Sequence, residues 1–143
     1  MSSQFTTPLD VRPLSDGKRW VLLANFSYDV GYLGSGDTIC VPAGFITDFA
    51  SIPKLAWSII GGPWGKYGKA TVIHDYLFET QQRSWRETNQ IFLEGMRVLG
   101  VPWWKRTTMY SMVVAFSWVS WLKAKKRHEA VLKELAVLKD LDE

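Results

Sequence analysis

The alternation of apolar and polar positions changes period once along this chain, near residue 53. Before that point, runs such as RWVLLANFSYDV (19–30) and DTICVPAGFITD (37–48) are dense in Val, Ile, Thr and aromatic residues. Asp16-Gly17 and Gly34-Ser35-Gly36-Asp37 interrupt them. Branched and aromatic side chains suit a pleated, half-buried surface, and Asp-Gly between two such runs favours a tight hairpin turn. Residues 4–48 therefore read as three or four antiparallel strands. Pro8, Pro13 and Pro42 are expected at strand ends or edges, where a missing N–H breaks no ladder.

After residue 53 the spacing becomes helical. Pro53 opens a short helix, KLAWSII, which Gly61-Gly62-Pro63 ends. A second helix is expected from about Tyr67 to Thr80, with Ala70, Ile73, His74 and Leu77 on one face at i, i+3, i+4, i+7 spacing. Ser84-Trp-Arg-Glu87 is a capping box that starts a third, whose inner face carries Thr88, Ile91, Phe92, Gly95 and Leu99. Gly100 stops it, and Pro102 starts a last helix that runs towards Leu141. The tail VLKELAVLKDL bears a stripe of Leu135, Leu138 and Leu141, suited to docking on a partner helix or back onto the domain. The pattern predicts one α+β domain over residues 1–143. A small antiparallel sheet (1–52) packs against three or four helices (53–122), and a basic, leucine-striped helical tail (123–143) follows.

Composition agrees with a folded domain. Among 143 residues, 47% are hydrophobic and 22% charged, which is globular composition and not that of a disordered chain. Eight Trp, seven Phe and five Tyr are a heavy aromatic load, and Trp favours sites with one apolar side and one wet edge. Trp57 and Trp64 flank the Gly-Gly-Pro turn, while Trp103 and Trp104 open the last helix beside Lys105 and Arg106. These four Trp residues are candidates for a partner surface, as is the basic run of Lys123, Lys125, Lys126 and Arg127. Such a run can meet anionic lipid or nucleic acid, but base-readout and RNA-stacking motifs are absent, so no nucleic-acid partner is expected.

The N-terminus lacks a basic and apolar leader, so no secretion signal is read there. The longest uncharged apolar run, residues 109–122, is shorter than the ~20 positions a spanning helix needs. With the basic run behind it, this segment suits peripheral membrane contact through the last helix better than a crossing. Cys40 is the single cysteine; it excludes an internal disulfide and is expected to pack within its strand.

Candidate chemistry centres on VPAGFITDFASIP (41–53) and KATVIHDYLF (69–78). Asp48 follows a strand and precedes a Pro-bounded corner, where a carboxylate caps the next turn or serves as ligand or base. His74 faces the core of its helix. It is either a buried, hydrogen-bonded imidazole or a ligand and proton shuttle with a carboxylate partner. Asp75 lies about 100° further round. A catalytic divalent metal such as zinc needs about three protein ligands, which Asp48, His74 and Asp75 would supply, with Asn89 or Glu94 as extras. No HExxH, CxxC or EF-hand spacing accompanies them. Ser51 with His74 and an Asp can be drawn as a triad but lacks a G-x-S-x-G elbow, and Cys40 with His74 is a further pairing. GSGD and GGPWGKYGK lack the Gly-Lys-Ser/Thr of a phosphate loop.

In order and spacing, GFITDFASIP, GKYGKATVIHDYLF and SWRETNQIFLEGMRVLGV resemble an uncharacterised bacterial and phage family, that of domain of unknown function 1353. The resemblance covers about residues 36–122. It implies a setting in tailed phages and prophages, and no activity, and it implies an Asp where this chain has Asn89. An amide there brings no charge, which favours a hydrogen-bond network over a tightly held metal. The expectation is therefore a non-enzymatic virion- or tail-associated structural or interaction protein with no cofactor. Its partners would be other virion or host proteins, and its place the virion or host cytoplasm. Two alternatives stand beside it: a small metal-dependent hydrolase, perhaps acting on cell wall, built on Asp48, His74 and Asp75; and a host-directed factor that binds a host protein or the inner membrane surface.

Overall fold

The computed structural model describes residues 3–48, 58 and 67–142. Five short strands come first: β1 (Val11–Pro13), β2 (Trp20–Leu22), β3 (Phe26–Asp29), β4 (Thr38–Val41) and β5 (Ile46–Thr47). Three helices follow: α1 (Gly68–Thr80), α2 (Trp85–Val98) and α3 (Trp103–Leu141). The α+β order is the one the sequence predicts. The strands divide into two antiparallel sheets, β1-β2-β5 and β3-β4, where one was expected. They part after Leu22, where the Asn25 side chain accepts the Ala43 N–H at 2.8 Å and the chain leaves β2 for a new pairing. The helix expected at KLAWSII lies outside the described residues except for Ser58.

Local chemistry explains the turns. In the β1–β2 hairpin Gly17 has φ 69°, and Asp16 Oδ1 accepts the N–H groups of Lys18 and Arg19. In the β3–β4 hairpin Asp29 plays that part, accepting the Gly34 N–H at 2.9 Å and the Thr38 hydroxyl at 2.7 Å. Pro13 ends the edge strand β1, and Pro42 falls just past β4. Register then sets the faces: Phe26 pairs with Val41 and Tyr28 with Ile39, all four buried. Cys40 lies between Ile39 and Val41 on the opposite face and is exposed, contrary to the packed position expected for it. Two-residue alternation cannot bury all three.

The sheets deliver Leu22, Phe26 and Tyr28 to a core completed by Ile73 and Leu77 of α1, Phe92 and Met96 of α2, and Met109 and Val113 of α3. Helices α1 and α2 cross at Gly95, where a Cβ would come 3.1 Å from the Ala70 Cβ. The capping box acts as read, with the Ser84 hydroxyl accepting the Glu87 N–H at 3.1 Å. Replacing Ser84 by Ala should cost about 1 kcal/mol in urea unfolding; an unchanged midpoint would show the cap to be idle. At the other end, Gly100 at φ 78° lets the Val101 N–H reach the Met96 carbonyl at 3.0 Å.

Helix α3 has 39 residues, about 58 Å at the helical rise. Its buried positions are Met109, Val113, Ser117, Trp121 and Ala124. Trp85 of α2 donates its indole N–H to Ser117 at 3.0 Å, and Trp121 meets Phe78 of α1 edge-on. Beyond Ala124 only His128 is half-buried; the other described residues are exposed. Past that point no other described element covers the helix.

Candidate functional site

Helix α1 carries two neighbouring polar residues that serve opposite sides. His74 turns towards α2, where its Nε2 lies 2.9 Å from Asn89 Oδ1 and its ring packs 5.1 Å from that of Phe92. It is almost fully buried. Burial holds its pKa down to about 4 against the opposing pull of the Asn89 hydrogen bond, so the imidazole is neutral at pH 7. With the Asn89 carbonyl accepting, the proton sits on Nε2. Nδ1, the Asn89 amide nitrogen and the Thr88 hydroxyl find no hydrogen-bond partner among the described residues. The ring is neutral and enclosed, its hydrogen-bond partner is an amide, and no acid is hydrogen-bonded to it among the described residues.

One position on, about 100° round the helix, Asp75 turns the other way. Its Oδ2 accepts the Thr47 hydroxyl, and both residues are buried. This bond joins β5 to α1, so the strand end and the helix middle do meet. What meets there is Asp75 and Thr47.

Asp75 also lines a cavity of about 490 Å³ between β5, α1 and α3. One wall is acidic, with Asp48 beyond β5 and Asp75 and Glu79 one turn apart on α1. The facing wall is basic, with Lys123 and Arg127 one turn apart on α3. Phe45, Phe78 and Phe116 supply apolar surface, and Ser117 and Ser120 add hydroxyls. Asp48 itself is exposed.

The expected sites are thus redistributed. Asp48 and Asp75 share the cavity with Lys123 and Arg127, which the sequence assigned to a separate partner surface. His74 and Asn89 lie away from it, between α1 and α2. The ligand set of Asp48, His74, Asp75 and Asn89 is therefore split between two places, because consecutive helical residues cannot face one way. Among the described residues no three His, Cys, Asp or Glu side chains come together as metal ligands do. Ser51, Trp57 and Trp64 lie outside the described residues. Trp103 and Trp104 are exposed, at 70% and 50%, with Lys105 over the Trp104 ring; Lys125 and Lys126 are exposed as well.

Glu94, named only as a spare ligand, proves to be a junction. A single oxygen, Oε1, accepts the Tyr28 hydroxyl at 2.6 Å, the Gly31 N–H at 2.8 Å and the Gln4 amide at 2.9 Å. Tyr28 lies within the core, and burial followed by the Glu94 carboxylate drives its pKa upward. One side chain of α2 thereby holds β3, the β3–β4 turn and the N-terminal segment. Local sequence carries no trace of it, since the partners lie 66, 63 and 90 residues away. The cavity did leave a trace: acids at 75 and 79 and bases at 123 and 127, each pair at i,i+4 on its own helix.

These features define a small α+β protein in which, among the described residues, short antiparallel sheets are backed by α1, α2 and the much longer α3. Residues 20–113 match the family described as Protein of unknown function (DUF1353), and the chain belongs to that family. It is similar to "Uncharacterized protein y4jT" of Sinorhizobium fredii, 45% identical over 108 residues that cover 75% of this chain and 30% of the relative. It is also similar to "Uncharacterized protein y4iH" of the same organism, 33% identical over 106 residues that cover 71% and 41%. This chain therefore spans less than half the length of either relative. No solved structure matches it. Among the described residues no helix is long and apolar enough to cross a membrane.

Proposed function

We propose that this chain is a non-enzymatic structural or interaction component of a phage particle, virion- or tail-associated, whose partners are other virion proteins or a host protein. The observation that carries this reading is the free part of α3. Val131, Leu135 and Leu138 are each more than half exposed on a helix that no other described element covers. Apolar side chains in a row on a rigid rod are the usual form of a helix-docking surface. His74, the residue best suited to acid–base work, is neutral and enclosed, which supports a role in packing. The phage setting comes from the resemblance of the sequence blocks.

Mass spectrometry of gradient-purified particles tests the proposal. The chain is expected at a fixed ratio to the major capsid protein. Its recovery only from the free protein of the lysate would overturn the assignment.

A second reading rests on the cavity, where Asp48 and Asp75 share one cleft with two cations. That arrangement suits a small hydrolase whose metal would need further ligands. Stoichiometric zinc or manganese in purified protein would favour it.

A further inference from the structure

The geometry points to an antiparallel dimer in which residues 126–140 of α3 pair with the same residues of a second copy of this chain. This deepens the interaction reading above and rests on it.

The residues that bury α3 against its own body do not stop where the body stops. Trp121, Ala124, His128, Val131, Leu135 and Leu138 follow one another at alternating spacings of three and four. That is the seam of a two-stranded coiled coil. Trp121 and Ala124 are covered by the body, whereas Val131, Leu135 and Leu138 are 54%, 56% and 53% exposed. The opposite face of the same stretch carries Lys126, Glu129, Lys133 and Asp140, with Val137 the one large apolar side chain among them. A helix this far from its body also gains little from packing, and free helices of about 15 residues are marginal in water.

Charge and shape select the occupant and its direction. The free stretch is basic where it leaves the body, at Lys123, Lys125, Lys126 and Arg127, and it carries acids at its far end, at Asp140 and Asp142. Laid antiparallel on a copy of itself, the basic turn of each helix meets the acidic end of the other. The seam closes in register: His128 opposes Leu138 of the second copy, and Val131 opposes its Leu135. A parallel pair would set like charges together at both ends. It would also drive the two bodies into one space, because each body sits on the seam side of its own helix. The antiparallel pair puts the bodies at opposite ends.

Sedimentation of the full chain should show a dimer in the range of about 10–100 µM. A Leu135→Glu/Leu138→Glu variant should sediment as a monomer with an unchanged melting transition, since neither side chain touches the core. Asp140→Lys/Asp142→Lys should weaken the dimer at least tenfold.

Direction is read with a spin label at Lys125→Cys in a Cys40→Ser chain. The antiparallel pair separates the two labels by about 25–30 Å, from the helical rise and the spacing between helix axes. A separation near 10 Å would overturn the antiparallel arrangement. Wild-type chain that stays monomeric throughout that range, including one that pairs only with a different protein's helix, would overturn the self-pairing itself. Absence of the chain from particles would overturn only the virion role, so the two failures are told apart.

Discussion

Lowering the pH from 6.5 to about 4 is expected to remove about 3 kcal/mol of folding stability through His74. Above 6.5 the imidazole is neutral in both folded and unfolded chains, and it adds no pH dependence. Between 6.5 and about 4 the unfolded chain takes up a proton that the folded chain refuses, so stability drops as pH falls. Below about 4 the folded form protonates too and the loss levels off. The depressed carboxyls of Asp29 and Asp37 contribute only below their ordinary pKa of 3.8, outside this window. Urea unfolding at a series of pH values measures the effect. His74→Gln should flatten the profile there, and a wild-type slope in that variant would refute the assignment. Asn89→Asp, which sets a carboxylate against the ring, should raise the His74 pKa and shrink the loss.

Glu94→Ala is expected to destabilise the fold by about 3 kcal/mol, although the residue is only half-buried. The loss takes an acceptor from three donors at once, among them the hydroxyl of Tyr28 inside the core, while the Gln4 amide keeps the Asp29 carbonyl at 3.1 Å. Glu94→Gln keeps an acceptor oxygen and should fall between Ala and wild type. Tyr28→Phe removes one donor along with its need, so in a double-mutant cycle with Glu94→Ala the two should couple by about 1–2 kcal/mol. Additive losses would mean that the hydroxyl and the carboxylate do not interact. An effect of Glu94→Ala below about 0.5 kcal/mol would place the residue with ordinary surface positions.

The fold was legible wherever a local rule acted alone. The runs holding FSYD and TICV were read as strands, and both are strands, though the face that buries Phe26, Tyr28, Ile39 and Val41 and exposes Cys40 came only from the register. The Ser84 to Glu87 spacing placed the start of α2, and the uninterrupted helical run after Pro102 placed α3. Legibility failed where partners are distant in sequence. Nothing near Glu94 points to Tyr28 or Gln4, and nothing near Asn25 shows that the strands divide into two sheets. The site was half legible: Asp75 and His74 stood out as polar residues in apolar surroundings, but their being adjacent suggested one cluster. The helical rotation sends one to β5 and the other to α2. Lys123 and Arg127 read as part of a separate partner surface, whereas α3 brings them to the cavity that Asp75 and Glu79 also line.

The central claim is that this chain acts through the exposed seam of α3 and not through chemistry at its acids. Complementing a gene deletion with two variants side by side tests it most directly, with particle yield and copy number per particle as the readout. Leu135→Glu/Leu138→Glu should lower the incorporation of the chain at least tenfold, while Asp48→Asn should leave it at the wild-type level. Normal incorporation and yield with the altered seam, together with loss of function in Asp48→Asn, would contradict the account and return the acids to the centre.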